Sequence, residues 1–267
     1  FGAGTSLDNI IPKIKEESDR FFILSVDAAT IPLLKHGIVP DRIVVVESQL
    51  ANEKAFIGLK NSHIPLIADL TSRTNILNIT NGDNYFFLSE YAKTNFINRL
   101  KKSGLVNLSI PPLGSVGLAA IEIALFLRKD VNIPIFFAGL DFCFEVGKTH
   151  CKEAPHIQTL LNNNTKINYL ENISSSFKRD CFFLQGKDGN QKITDTPLFN
   201  YAKLFSARYS MQKNIYDVGA IGIDIGSRYL TCEEMLEHCR NYKTNKELNE
   251  LMINKTKDNF NKEKTSF

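Results

Sequence analysis

What this chain lacks narrows its function before any motif is read. No apolar run approaches the roughly 18 residues needed to cross a bilayer, and no signal-peptide pattern opens it. A cytoplasmic location with no membrane partner is therefore expected. Cysteine is sparse: Cys143, Cys151, Cys181, Cys232 and Cys239 are odd in number and never fall at C-x-x-C spacing. That argues against a disulfide framework or structural zinc and for reduced thiols. A net charge of only +3, scattered along the chain, argues against a nucleic-acid partner. There is no G-x-S-x-G elbow and no cysteine in a recognised nucleophile setting. No Asp-x-Asp pair occurs, so no obligatory metal is expected. Gly147-Lys148-Thr149 ends like a Walker loop, but Phe142 stands where the first glycine belongs and no helix-forming sequence follows. A P-loop NTPase is excluded on that ground.

What remains is the pattern of an α/β protein. The 267 residues are 43% hydrophobic and 23% charged, enough for a full core. Short apolar runs at Phe21–Val26, Ile43–Val46, Pro65–Asp69, Tyr85–Leu88 and Ile133–Ala138 alternate with helical stretches. Runs so apolar belong inside a parallel sheet. The alternation predicts a Rossmann-like, doubly wound, mostly parallel sheet with helices on both faces and a small variable C-terminal region. One domain over residues 1–237 is expected, followed by a polar helical tail, 238–267. Residues 151–192, rich in Asn, Ser and Lys, read as a lid or substrate loop or as a surface excursion, with Cys181 to Leu184 their only strand-like run. Phe199, Tyr201, Phe205 and Tyr209, on a helix from Pro197 to Met211, read as core. Thr231 and Glu234 make a capping box for the last apolar helix.

Candidate chemistry falls at strand ends, where open α/β sheets bind ligands. Phe1-Gly2-Ala3-Gly4-Thr5-Ser6 reads as the end of a strand whose body lies upstream, running into a glycine loop at a helix start. Such a loop suits a phosphate or is an ordinary tight turn. Gly114-Ser115-Val116-Gly117 offers a second helix start of the same kind. Asp27, and the run Glu47-Ser48-Gln49, end successive strands, as ribose-binding carboxylates do, or cap the helices that follow. After Ile133–Ala138 come Asp141, Lys148, Thr149 and His150. His150 is the acid/base candidate because imidazole titrates near neutrality. His156 lies close enough along the chain to reach the same pocket.

Several of these segments together resemble one family. Gly2-Ala3-Gly4-Thr5-Ser6-Leu7, Ser25-Val26-Asp27-Ala28, Gly37-Ile38-Val39-Pro40-Asp41, Gly114-Ser115-Val116, Gly139-Leu140-Asp141-Phe142 and Gly147-Lys148-Thr149-His150 look like the central domain of bacterial motility-associated factor (Maf) proteins. That domain is also called MptE-like, or domain of unknown function 115. The resemblance extends from residue 1 to about 237. It implies a metal-independent, sialyltransferase-like transfer of a pseudaminic- or legionaminic-type nonulosonic acid from a CMP-sugar donor to flagellin Ser/Thr hydroxyls. It implies that Gly2, Gly4, Thr5 and Ser6 meet donor phosphate or ribose, and that Asp27 and Glu47 to Gln49 line the nucleotide. Gly114 and Ser115 would contact it from the central helix, with Asp141, Thr149 and His150 facing sugar and acceptor. The sequence departs from the family at Thr5, where Pro is usual, and in the acidic-hydroxyl-amide run at 47–49. The same domain name also covers archaeal 6-hydroxymethyl-dihydropterin pyrophosphokinases, which would bring ATP and Mg²⁺. A non-catalytic flagellin-binding module is the third alternative.

Overall fold

The structure is a computed structural model that describes residues 1–46, 48–91, 94–167, 173–174, 176–177 and 180–240. Five parallel strands, β1 (Leu24–Val26), β2 (Arg42–Val45), β3 (Leu66–Asp69), β4 (Asn84–Ser89) and β5 (Ser109–Ile110), lie side by side in chain order. A second parallel group has the order β10 (Arg228–Tyr229), β9 (Ile215–Asp217), β6 (Ile135–Phe137). Residues 1–4 join the two groups. The Phe1 amine donates to Leu24 O and Val26 N–H to Phe1 O, while Gly2 and Gly4 N–H donate to Ala138 O and Gly139 O, both at 2.8 Å. The chain thus starts at the centre, winds outward through β1 to β5, and returns to the other side at β6. This is the switch in strand order that marks a doubly wound sheet.

Burial on both faces explains the near-continuous apolar strands. Along β2, Val44 enters one hydrophobic cluster, while Ile43 and Val45 enter another with Leu66 and Ala68. Phe56, Leu59 and Ile76 cover the second face. The first is covered by α5 (Val116–Leu127), through Leu118, Ile121 and Ile123. Helices α1 (Leu7–Ile14), α2 (Asp27–Lys35), α3 (Thr74–Leu77) and α4 (Asn95–Ser103) follow the expected alternation. Gly37, at φ 81°, ends α2 in the left-handed conformation that helix C-termini favour.

After β6 come α6 (Pro155–Asn162), an antiparallel hairpin of β7 (Cys181–Gln185) and β8 (Gln191–Asp195), α7 (Thr196–Tyr209) and α8 (Cys232–Arg240). The hairpin corrects the reading of 151–192 as carrying a single strand-like run. Gln191-Lys192-Ile193-Thr194-Asp195 is too polar to signal a core strand, yet Lys192 to Asp195 are buried because they pack on the 142–144 segment. Phe144 pairs with Ile193, and the Thr194 hydroxyl donates to Phe142 O at 2.9 Å. The capping box forms as expected: Thr231 N–H donates to Glu234 Oε2, and Glu234 N–H to Thr231 Oγ1. α8 runs through residue 237 to Arg240; the tail beyond it, 241–267, is outside the described residues.

Gly139 shows why the centre is built from glycines. It sits at φ 75°, and a Cβ there would fall 2.1 Å from Gly2 O, backbone against backbone. Gly189 has a similar φ of 79° with nothing within 4 Å. Gly139→Ala should therefore cost about 3 kcal/mol or more, from overpacking added to backbone strain, against about 1 kcal/mol for Gly189→Ala. Equal shifts of the two urea midpoints would contradict this account of the seam.

Candidate active site

A cavity of about 840 Å³ opens at the carboxyl ends of the strands, where the two halves of the sheet meet. Its floor is Gly2, Ala3 and Gly4; one wall is Asp27, Ala28, Val46 and Ser48; another is Gly114 to Gly117. The third runs from Gly139 through Phe144 to Thr149 and His150. Of the residues expected in the site, Gly2, Gly4, Asp27, Ser48, Gly114, Ser115, Asp141, Thr149 and His150 line this one space. Thr5 and Ser6 are buried behind the loop and Gln49 is exposed outside the lining; neither position faces the cavity as expected. Glu47 lies outside the described residues.

Thr5 and Ser6 face inward because Asp141 holds them. Its carboxylate accepts from Ser6 N–H at 2.8 Å, Ser6 Oγ at 2.5 Å and Thr5 Oγ1 at 3.3 Å. The next amides are also used: Leu7, Asp8 and Asn9 N–H donate to the carbonyls of Gly4, Thr5 and Ser6. A helix N-terminus attracts an anion, and at α1 the anion is the protein's own. Burial raises the Asp141 pKa, and the Ser6 donors work against that. The glycines serve the same packing, since a Cβ on Gly4 would fall 2.5 Å from the Asp141 carboxylate.

The start of α5 is different. Gly114 turns the chain at φ 68°, and the N-cap Ser115 makes no side-chain cap hydrogen bond. Helix geometry leaves the first-turn amides without intrahelical partners. Ser115, Val116 and Gly117 line the cavity, so a helix start of the kind that suits an anion opens into it.

Thr149 and His150 are presented by a pinned loop. Cys151 N–H donates to Ala3 O at 2.8 Å, Lys152 N–H to the Asp8 carboxylate, and Lys148 Nζ sits 2.7 Å from Asp8 Oδ2. Thr149 Oγ1 and His150 Nδ1 are 3.2 Å apart. Burial, and then the charge of His156, lower the His150 pKa to about 4, so this imidazole is neutral at pH 7. Cys143 also lines the cavity, but burial, and then Asp141, push its thiol up to about 12, which rules out a resting thiolate nucleophile.

Sequence reasoning missed the far wall. Thr71, Tyr91, Ser176, Cys181, Asp195, Leu198 and Tyr201 also line the cavity. Tyr201, read as core, belongs to this wall, whereas Phe205 and Tyr209 are buried as expected. Asp195 caps α7 through Leu198 N–H, and Asp69 fixes Thr71 by accepting its N–H and Oγ1. Asp8 is a plain first-turn acid until the fold brings residue 152 against it.

Beside Asp141 lies a second buried carboxylate, Asp217, paired with Lys187 from the hairpin turn. Burial outweighs the lysine and raises Asp217 from 3.8 to about 6. A raised folded pKa gives a contribution to stability that is complete below the unfolded value near 4 and lost as pH rises through about 6. A Lys187→Met/Asp217→Asn variant should gain about 3 kcal/mol relative to wild type between pH 4 and pH 7, measured by urea unfolding. A stability difference that does not change with pH would contradict this.

Comparisons with known proteins bear on the whole arrangement. Residues 1–147 match the family model described as 6-hydroxymethylpterin diphosphokinase MptE-like. An uncharacterized protein of Treponema pallidum (strain Nichols) is 34% identical over 243 residues, 89% of this chain and 42% of its own length. The solved MAf glycosyltransferase from Magnetospirillum magneticum AMB-1 superposes with a TM-score of 0.66 at 18% identity, over 97% of this chain and 36% of that one. The chain thus spans less than half the length of either relative. Among the described residues no helix is long and apolar enough to cross a membrane.

Proposed function

The chain belongs to the 6-hydroxymethylpterin diphosphokinase MptE-like family, and from that membership and the cavity we propose that it is the catalytic domain of a glycosyltransferase. Its donor is a CMP-activated nonulosonic acid, and its acceptor a Ser or Thr hydroxyl of flagellin. The observation that carries this reading is the extent of the shared fold. The family model ends at residue 147, whereas the likeness to the MAf glycosyltransferase covers 97% of the chain. The segments beyond 147 supply His150, His156, Cys181, Asp195 and Tyr201 to the cavity.

In this reaction the acceptor oxygen bonds to the anomeric carbon of the sugar. The bond from that carbon to the phosphate oxygen breaks, and its electron pair leaves with CMP. The acceptor proton passes to neutral His150. Charge on the departing phosphate is met by the first-turn amides of α5 around Ser115 to Gly117. Asp141 holds the floor in place through Ser6.

The family's own description raises the diphosphokinase alternative, which needs Mg²⁺. Among the described residues no three His, Cys, Asp or Glu side chains group to hold a metal ion. Asp69 and Asp141 are already engaged by Thr71 and Ser89 and by Thr5 and Ser6. That engagement favours the transferase reading, and no step here runs through a metal.

Calorimetric titration should give binding with CMP and none with ATP–Mg²⁺; the opposite pattern would transfer the assignment to the diphosphokinase. His150→Ala should lower flagellin glycosylation by about a hundredfold or more. Unchanged glycosylation would remove His150 from the mechanism.

A further inference from the structure

The structure holds a second cavity, of about 600 Å³, between β1 and β6 toward the amino ends of both strands. Its lining is apolar, with Ile14, Leu24, Ile121, Ala124, Ile135 and Met235 contributing to it. The charged side chains among its described lining residues are Arg20, Arg128 and Lys129, and of these Arg20 and Lys129 are exposed to solvent. An occupant of the interior therefore has to be apolar.

Both strands turn a backbone edge toward this space. Ile23 O accepts from Arg42 N–H, so Phe22 and Leu24, on either side of it, direct their backbone groups away from β2. On β6, Ile135 N–H donates to Asn214 O and Phe137 O accepts from Val218 N–H, which directs Phe136 and Ala138 away from β9. Among the described residues neither Phe22 O nor Ala138 N–H has a backbone partner. Backbone groups that face an apolar space are costly unless paired.

Phe1 and Gly2 establish what fits between the two edges. Phe1 bonds to Leu24 and Val26 on one side and Gly2 to Ala138 on the other, as successive residues of a central parallel strand do. The gap is therefore one strand wide. The Phe1 nitrogen stands at a ladder position, and its bond to Leu24 O is one that a peptide amide makes. A free amine is disfavoured there, since burial lowers its pKa to about 5, whereas a peptide nitrogen carries no charge.

We propose that this cavity seats a β-strand of about five residues, joined directly to Phe1, that pairs in parallel with β1 and β6 at once. Its backbone groups meet Phe22 O and Leu24 N–H on one side and Phe136 O and Ala138 N–H on the other. The two strand groups then become one continuous sheet, with the Gly2–Gly4 floor of the active site running on from its central strand. Covered on both faces, the strand is a run of apolar residues, mostly β-branched or aromatic. This chain spans less than half the length of either relative, so proteins of this kind carry sequence from which such a strand can be drawn. The proposal holds whatever the active-site cavity binds.

The test is made on the protein carrying its own sequence ahead of Phe1. By amide hydrogen exchange, Leu24 and Ala138 should exchange within about tenfold of Val26, whose N–H Phe1 already holds. Proline, which has no N–H to give a ladder, is then placed either directly before Phe1 or about ten residues further upstream, beyond the reach of a five-residue strand. The near proline should speed exchange at Leu24 and Ala138 by about a hundredfold or more, and the distant one should leave both unchanged. Exchange at Leu24 and Ala138 about a hundredfold faster than at Val26 in the unsubstituted protein overturns the proposal. That comparison decides the matter even where the near proline prevents folding. Protection that survives the near proline also overturns it, because another occupant, an apolar ligand or a strand from a second copy, then fills the cavity.

Discussion

Asp141 binding the start of α1 is the contact on which the rest of the site depends. A carboxylate buried beside apolar strands is costly unless its oxygens are satisfied. Here they are satisfied by the amide and hydroxyl of Ser6 and the hydroxyl of Thr5. That requirement draws the Gly2–Ser6 loop onto the end of β6, closer than any side chain on Gly2, Gly4 or Gly139 would permit. It also turns Phe142 into a left-handed conformation, at φ 53°, with its ring packed on Phe205. Strain of this kind persists only where the surroundings over-determine it.

One consequence is a division of labour between two helix starts that look alike in sequence. The amides at α1 are spent on Asp141 and on their own turn, so the first glycine loop serves as a floor. Among the described residues no such carboxylate is bound at the α5 start, and Gly114 to Gly117 line the cavity. A second consequence concerns the roof. The 148–152 loop is tied to α1 through Ala3 and Asp8, and β8 is tied to the 142–144 segment through Ile193 and Thr194. Segments far apart in sequence thus depend on the same seam for their placement.

Much of the architecture was readable from the sequence because buried parallel strands leave apolar runs that little else produces. The runs around Val44, Ile67, Phe87 and Phe137 all became strands at or near their expected places. The cavity's inner rim was readable too, since strand ends bearing Asp27, Ser48 and Asp141 converge by the topology alone. What could not be read was long-range polar pairing. Nothing local marks Asp141 as the partner of Ser6 rather than as a residue facing substrate, and nothing local marks Asp8 as the anchor of His150. The β8 strand was hidden for the same reason: its buried Lys192 and Thr194 look like loop residues until the 142–144 segment covers them.

The measurement that bears most directly on this arrangement is amide hydrogen exchange with and without CMP. The Ser6 amide should be protected already in the free protein, and the Val116 and Gly117 amides should exchange fast until CMP slows them. Fast exchange at Ser6 that CMP abolishes, with no change at Val116 and Gly117, would contradict it. The phosphate site would then lie at the first glycine loop, and Asp141 would not be its internal substitute.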